Sequence, residues 1–334
     1  FDLSDLGSRS LKGIAQPVRA WRVHAVSKPK GRFEAARGGV PLTPMVGRQE
    51  EVALLLRCWQ QARDGNGQVV AMSGEPGIGK SRLTRALREE FATQAYATLS
   101  FQCSPYHVNS SLHPVTEQIE FLAGFVHDDD SEQKLDKLEA VLAGTPEQRA
   151  AAAPLIAALL SLPLDRYALL NLSPPKRKER TLEALIGQVE ALAQRSPVFI
   201  VFEDVHWIDH TSLEALGVLI ARVRRLPILL VVTFRPEFAP PWSDLPYVNL
   251  VALDRLGPGE GAELATNVAQ GKGLPAGLLD QIVARTDGVP LFVEELTKSV
   301  LESGLLRETN DRYALQPALP GISIPSSLRD SLLA

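Results

Sequence analysis

From residue 48 onward, hydrophobic positions recur in two alternating rhythms. Residues 48–62 place Val52, Leu55, Leu56 and Trp59 at i, i+3, i+4 and i+7, which predicts an amphipathic helix. Residues 68–73 form a short apolar run, then a Gly-rich turn, and Leu83, Leu87 and Phe91 give a second helical stripe. Residues 97–103 read as another strand. Residues 112–195 read as several helical pieces, interrupted at 128–130 and 161–175. Strands return at 198–203, 228–234 and 248–253, with a helix around 213–225. Such alternation predicts a parallel sheet covered on both faces. After Leu256 the pattern is helical over 259–269, 275–285 and 290–303, followed by a small hairpin, 305–308 and 312–315, about Asn310-Asp311.

The first residues follow a different period. Stretches 9–14 and 18–26 read as strands around Ala15-Gln16-Pro17, with Trp21, Val23 and Ala25 alternating with Arg22 and His24. A lone hairpin is marginal in water, so this one is expected to complete a sheet lying upstream. Residues 28–39 are basic and Gly-containing, and read as a linker.

Composition narrows the class. The 334 residues leave room for about two domains, and 45% hydrophobic with 22% charged are globular proportions. Thirty-five basic against 39 acidic residues, a formal charge of −4, leave no global footprint for nucleic acid. The longest apolar runs are far too short for a bilayer, and no cationic start leads into a signal segment. Two cysteines, Cys58 and Cys103, make no disulfide framework and fit a reducing compartment. The expectation is a cytoplasmic protein with no membrane and no nucleic acid as partner. The chain opens on Phe1 and stops at Ala334 within an apolar stretch that reads as a helix, so a segment of a longer polypeptide is expected.

Gly74-Glu75-Pro76-Gly77-Ile78-Gly79-Lys80-Ser81 carries the strongest chemical signal. It is a full G-x-x-x-x-G-K-S between an apolar strand and an amphipathic helix that continues through Arg82. The glycines let backbone N–H groups approach phosphate oxygens, and the helix N-terminus adds free donors and its dipole. Lys80 would reach the β- and γ-phosphates, and the Ser81 hydroxyl would ligate Mg²⁺. Glu203-Asp204 closes the apolar run 198–202 and supplies the acidic strand such a loop needs. One carboxylate would join the Mg²⁺ shell and its neighbour would orient the attacking water; we assign Glu203 to the metal and Asp204 to the water. Arg235, after the strand 228–232, falls on the same sheet edge in a parallel arrangement and would sense the γ-phosphate. The expected fold is α/β: a three-layer parallel-sheet P-loop NTPase of the ASCE/AAA type, then a helical lid and the start of a winged-helix-like unit.

Together, Val46-Gly47-Arg48-Gln49-Glu50-Glu51, the P-loop, the run from Glu203 to Asp209 and the run from Thr233 to Glu237 resemble the STAND branch of AAA-type ATPases. Gly288-Val289-Pro290 is similar to that branch's G-x-P element. The resemblance spans about residues 41–334 and implies that Val46, Gly47 and Arg48 flank the adenine of ATP or ADP, with Pro290 closing over the nucleotide. Asp5-Leu6-Gly7 and the run from Leu11 to Val23 look like the C-terminal end of a class III adenylate/guanylate cyclase domain, without its metal-binding aspartates. The implied organisation is a cyclase hairpin at 1–26, a linker at 27–40, an ATPase core at 41–255, a lid at 256–304 and a winged-helix-like start at 305–334. The implied function is a slow ATP-hydrolysing switch controlling an attached cyclase through self-association, with sensor or repeat domains downstream. A transcription regulator driving a downstream DNA-binding domain, a DNA-loading ATPase and a non-hydrolysing scaffold are the alternatives.

Weaker signals point elsewhere. His206 and His210 are four apart with no evident third ligand, and His206 reads as packing or hydrogen-bonding near the site. Gly257-Pro258-Gly259-Glu260-Gly261-Ala262 fits G-x-G-x-x-A, but Pro258 removes an N–H and a helix start fits better. Cys103 reads as a buried apolar residue, and the basic run Lys176-Arg177-Lys178 as a solvated helix face.

Overall fold

The computed structural model describes residues 2–9, 18–25, 42–168, 171–303, 305–309 and 312–315. The chain divides into two compact units, one ending at Pro41 and the other beginning at Leu42. The expected turn at Pro17, the linker, Asn310-Asp311 and the C-terminal helix lie outside the described residues.

The first unit is an antiparallel ladder of β1 (Asp2–Arg9) and β2 (Val18–Ala25). Of the span 9–14 expected as a strand, Arg9 ends β1 and residues 10–14 lie outside the described residues. Gly7 adopts φ +72, its N–H donates to Asp5 Oδ1, and the register shifts between Asp5 and Ser8. The glycine makes a bulge inside the strand instead of ending it. Across the ladder Arg19 pairs with Asp5 and lies over the Trp21 ring.

The second unit is built on a five-stranded sheet of β3 (Gln68–Ser73), β4 (Ala97–Gln102), β5 (Val198–Glu203), β6 (Ile228–Phe234) and β7 (Val248–Ala252). The strands are all parallel, in the order β4-β5-β6-β3-β7. Alternate residues enter different cores: Val70 and Met72, Phe199 and Val201, Leu229 and Val231 face one side. Val69 and Ala71, Ile200 and Phe202, Leu230 and Val232 face the other. Burial on both faces is why these strands read as continuous apolar runs instead of alternating ones.

The first face is covered by α1 (Gln49–Arg63) and α2 (Lys80–Glu90), whose Leu55, Trp59, Leu83 and Leu87 are buried there. Trp59 stacks on Phe91 at 4.4 Å and meets Phe199 edge-on at 6.4 Å. The second face carries α7 (His210–Val223) and four helices inserted between β4 and β5. These are α3 (His113–Ala123), α4 (Ser131–Val141), α5 (Pro146–Leu159) and α6 (Pro174–Ala193). Asp130 and Thr145 form capping boxes that start α4 and α5, which fixes the breaks between helical pieces.

Beyond β7 come α8 (Pro258–Val268), α9 (Ala276–Thr286) and α10 (Pro290–Glu302), then the short pair β8 (Leu306–Glu308) and β9 (Tyr313–Leu315). Their core of Leu264, Leu278, Ile282 and Val293 is separate from the two around the sheet, and Val46 joins it.

Candidate nucleotide site

β3, β5 and β6 are adjacent and parallel, so the loops leaving their carboxyl ends meet along one edge. Gly74 leaves β3 with its N–H donating to Phe234 O, and a Cβ there would sit 2.7 Å from Ile78 Cγ2. Gly77 and Gly79 adopt φ +77 and +109, values that only glycine takes readily. At Gly79, the N-cap of α2, an added Cβ would meet nothing within 4 Å. Open space beside Gly79 at a helix N-terminus, where backbone donors are free, suits a phosphate.

Lys80 is buried, and its Nζ donates to Gly74 O at 2.5 Å and Glu75 O at 3.0 Å. Burial lowers its pKa, opposed chiefly by the nearby Asp204 carboxylate. Ser81 Oγ donates to Glu203 Oε2 at 3.1 Å, which brings the loop hydroxyl and the strand-end carboxylate together. Two hard oxygen donors in contact suit Mg²⁺, which favours such ligands.

Asp204 follows in the left-handed region, φ 58 and ψ 42, and turns the chain sharply off β5. Its N–H donates to Thr233 Oγ1, and its Oδ2 accepts from Gln102 Nε2, both at 3.1 Å. One residue from each of β4 and β6 therefore holds it. Neither Gln102 nor Thr233 received a role from the sequence, although both lie at strand ends on the edge that the parallel pattern identifies. Arg235 leaves β6 with its guanidinium 5.0 Å from the Trp207 ring centroid.

The remaining candidate residues lie where the lid meets the loop. Val46 is buried in the lid core, and Gly47 passes so close to Glu260 that a Cβ would be 2.6 Å from its carboxylate. Arg48 is buried and spends its guanidinium on Glu51, on Ile78 O at 3.4 Å and on Asp254 O at 2.5 Å. It ties α1, the P-loop and the end of the sheet together. Arg82 Nη2 donates to Thr43 O at 3.2 Å. Pro290 occupies the first turn of α10, and the N–H of Leu291 donates to Gly77 O at 3.2 Å. Val289 and Leu291 close on Gly77, where an added Cβ would lie 3.0 Å from Leu291 Cβ. Pro76 is half-buried, and beside it Glu75 pairs with Arg255, which also bridges to Asp287 before the lid helix.

A parallel sheet with the phosphate-loop strand between β6 and β7, and a hydroxyl–carboxylate pair spanning from that loop to β5, defines a P-loop nucleoside-triphosphatase. Residues 44–232 match the AAA ATPase domain family, and the chain belongs to it. A curated relative, the uncharacterized protein R02095 of Rhizobium meliloti (strain 1021), is 32% identical over 306 residues. That match covers 89% of this chain but only 29% of the relative's length. Among solved structures, a Pyrococcus horikoshii STAND protein with a tetratricopeptide repeat sensor aligns at TM-score 0.41 and 14% identity, over 87% of this chain and 33% of that one. A Drosophila ORC structure bound to DNA aligns at TM-score 0.46 and 11% identity, over 89% and 65%. Among the described residues, no helix is long and apolar enough to cross a membrane.

Proposed function

We propose that this module binds ATP with Mg²⁺ between its sheet edge and its lid, hydrolyses it slowly, and uses the exchange to switch a larger signalling protein. The observation that carries the reading is the contact of Ser81 with Glu203, made across two strands that approach only in the folded sheet. A bound Mg²⁺ would be held by Ser81 and Glu203 and would supply neutralisation of phosphate charge. Lys80, freed from the Gly74 and Glu75 carbonyls, would take a β- or γ-phosphate oxygen instead. Asp204, held by Gln102 and Thr233, would orient the attacking water and accept its proton. Arg235 would neutralise charge on the transferring phosphoryl group. Val46, Gly47, Arg48 and Pro290 frame the approach from the lid, which supports adenine contact by Val46, Gly47 or Pro290. Arg48 acts by holding the loop.

The regulatory half of the reading rests on the sequence motifs in STAND order and on the bond between the lid helix and the P-loop at Gly77 O. A loop reshaped by phosphate must disturb that bond, so nucleotide state biases the lid. Control of an attached adenylate or guanylate cyclase, with self-association, is the output we favour, because the residues before the linker resemble the end of a cyclase domain. A scaffold that never turns over is the rival. Lys80→Ala should abolish nucleotide binding under either reading. Asp204→Asn should retain ATP and lose phosphate release, measured with a coupled phosphate assay. No phosphate release from the native chain, with ATP bound, would establish the scaffold.

A further inference from the structure

We propose that His206 reads the γ-phosphate: its imidazole donates a hydrogen bond to a γ-phosphate oxygen, and the site thereby prefers a triphosphate to a diphosphate. The inference rests on the ATP reading and adds a residue and a selectivity to it. The short helical turn Val205–Trp207 follows Asp204 directly, so the left-handed backbone at Asp204 decides where His206 goes. A non-glycine residue in that region is strained, and the Thr233 hydroxyl that holds the Asp204 N–H helps to maintain it.

Both ring nitrogens of His206 are buried, and neither has a hydrogen-bond partner. Buried polar atoms are almost always paired, so an imidazole with both nitrogens unpaired at a catalytic edge calls for a ligand. The surroundings specify the ligand's charge. Asp204, Arg235, Lys80 and Glu237 all act electrostatically on this ring, and two of them are the cations already placed to meet phosphate. An imidazole carries an N–H in either protonation state, so the donor does not depend on titration. Trp207 supplies the mounting: its indole lies 4.2 Å from the His206 ring, centroid to centroid, and 5.0 Å from the Arg235 guanidinium carbon. One aromatic side chain therefore positions both donors, and a shift of either changes the polarity around the indole.

The test compares ADP with adenylyl imidodiphosphate, each with Mg²⁺, by titration calorimetry on the purified chain. His206→Ala should weaken the imidodiphosphate about tenfold, the loss of one hydrogen bond to a charged group. ADP affinity should change less than twofold, and His206→Gln, which keeps an N–H donor, should recover most of the preference. Trp207 emission should shift with the imidodiphosphate and not with ADP, and Trp207→Phe should abolish that signal. Equal weakening of both nucleotides, or of neither, overturns the role of His206 and leaves the ATP site standing. A native chain that binds neither nucleotide overturns both.

Discussion

Cys58 shows how far a single residue can be pushed by its place in the fold. It points from α1 into the core beside Trp59, and burial raises its thiol pKa above the ordinary 9.0. Folding therefore favours the neutral thiol. Its contribution to stability is intact below pH 9.0 and is lost as pH rises through the folded value. Cys103 is equally buried. Ellman's reagent should accordingly label neither thiol of the native chain at neutral pH and both in denaturant; rapid native labelling would show that the cores open. At the same scale, some of the site was legible and some was not. Lys80 and Ser81 are marked by spacing within one loop, and Glu203 by its position after an apolar run. Gln102 and Thr233 are not, because their contacts with Asp204 depend on which strands become neighbours, and no local spacing encodes that.

Among elements, the strands Gln68–Ser73, Val198–Glu203 and Ile228–Phe234 coincide with their expected spans, since each is a closed apolar run between polar turns. The order of the strands is a tertiary property: β6 lies between β3 and β5 although it follows both in the chain. The strand Asp2–Arg9 went unread because its apolar residues do not alternate regularly, the Gly7 bulge shifting the register. The start of α10 yields a sharper test. Gly288 adopts φ +71, its carbonyl accepts from Leu256 N–H, and an added Cβ would lie 2.2 Å from Leu256 O. Gly288→Ala should destabilise the chain by more than about 2 kcal/mol in urea unfolding, through the left-handed backbone and the clash. Gly187→Ala is the control. Gly187 lies inside α6 with nothing within 4 Å of an added Cβ, so the substitution should stabilise by about 0.5–1 kcal/mol.

Across the whole second unit, the sheet and the lid keep separate cores and communicate through a few polar links. Arg255 is one of these, joining Glu75 of the loop to Asp287 of the lid, all three side chains being well exposed. Exposed pairs contribute little, so Arg255→Ala should leave the urea unfolding midpoint almost unchanged. Amide exchange at the start of α10 should nonetheless accelerate as that end of the lid loosens; unchanged exchange would mean the Leu291–Gly77 bond holds it alone. The chain spans 29% of the length of its R. meliloti relative. Thr43 links three parts of the unit. Its hydroxyl donates to the buried Glu294 of α10 at 2.9 Å, while its carbonyl accepts from Arg82 of α2, and Val46 lies in the lid core. The segment that leads into the ATPase fold is thus fastened to both α10 and α2. Any displacement of α10 from α2 would therefore have to break one of the two Thr43 bonds, to Glu294 or to Arg82.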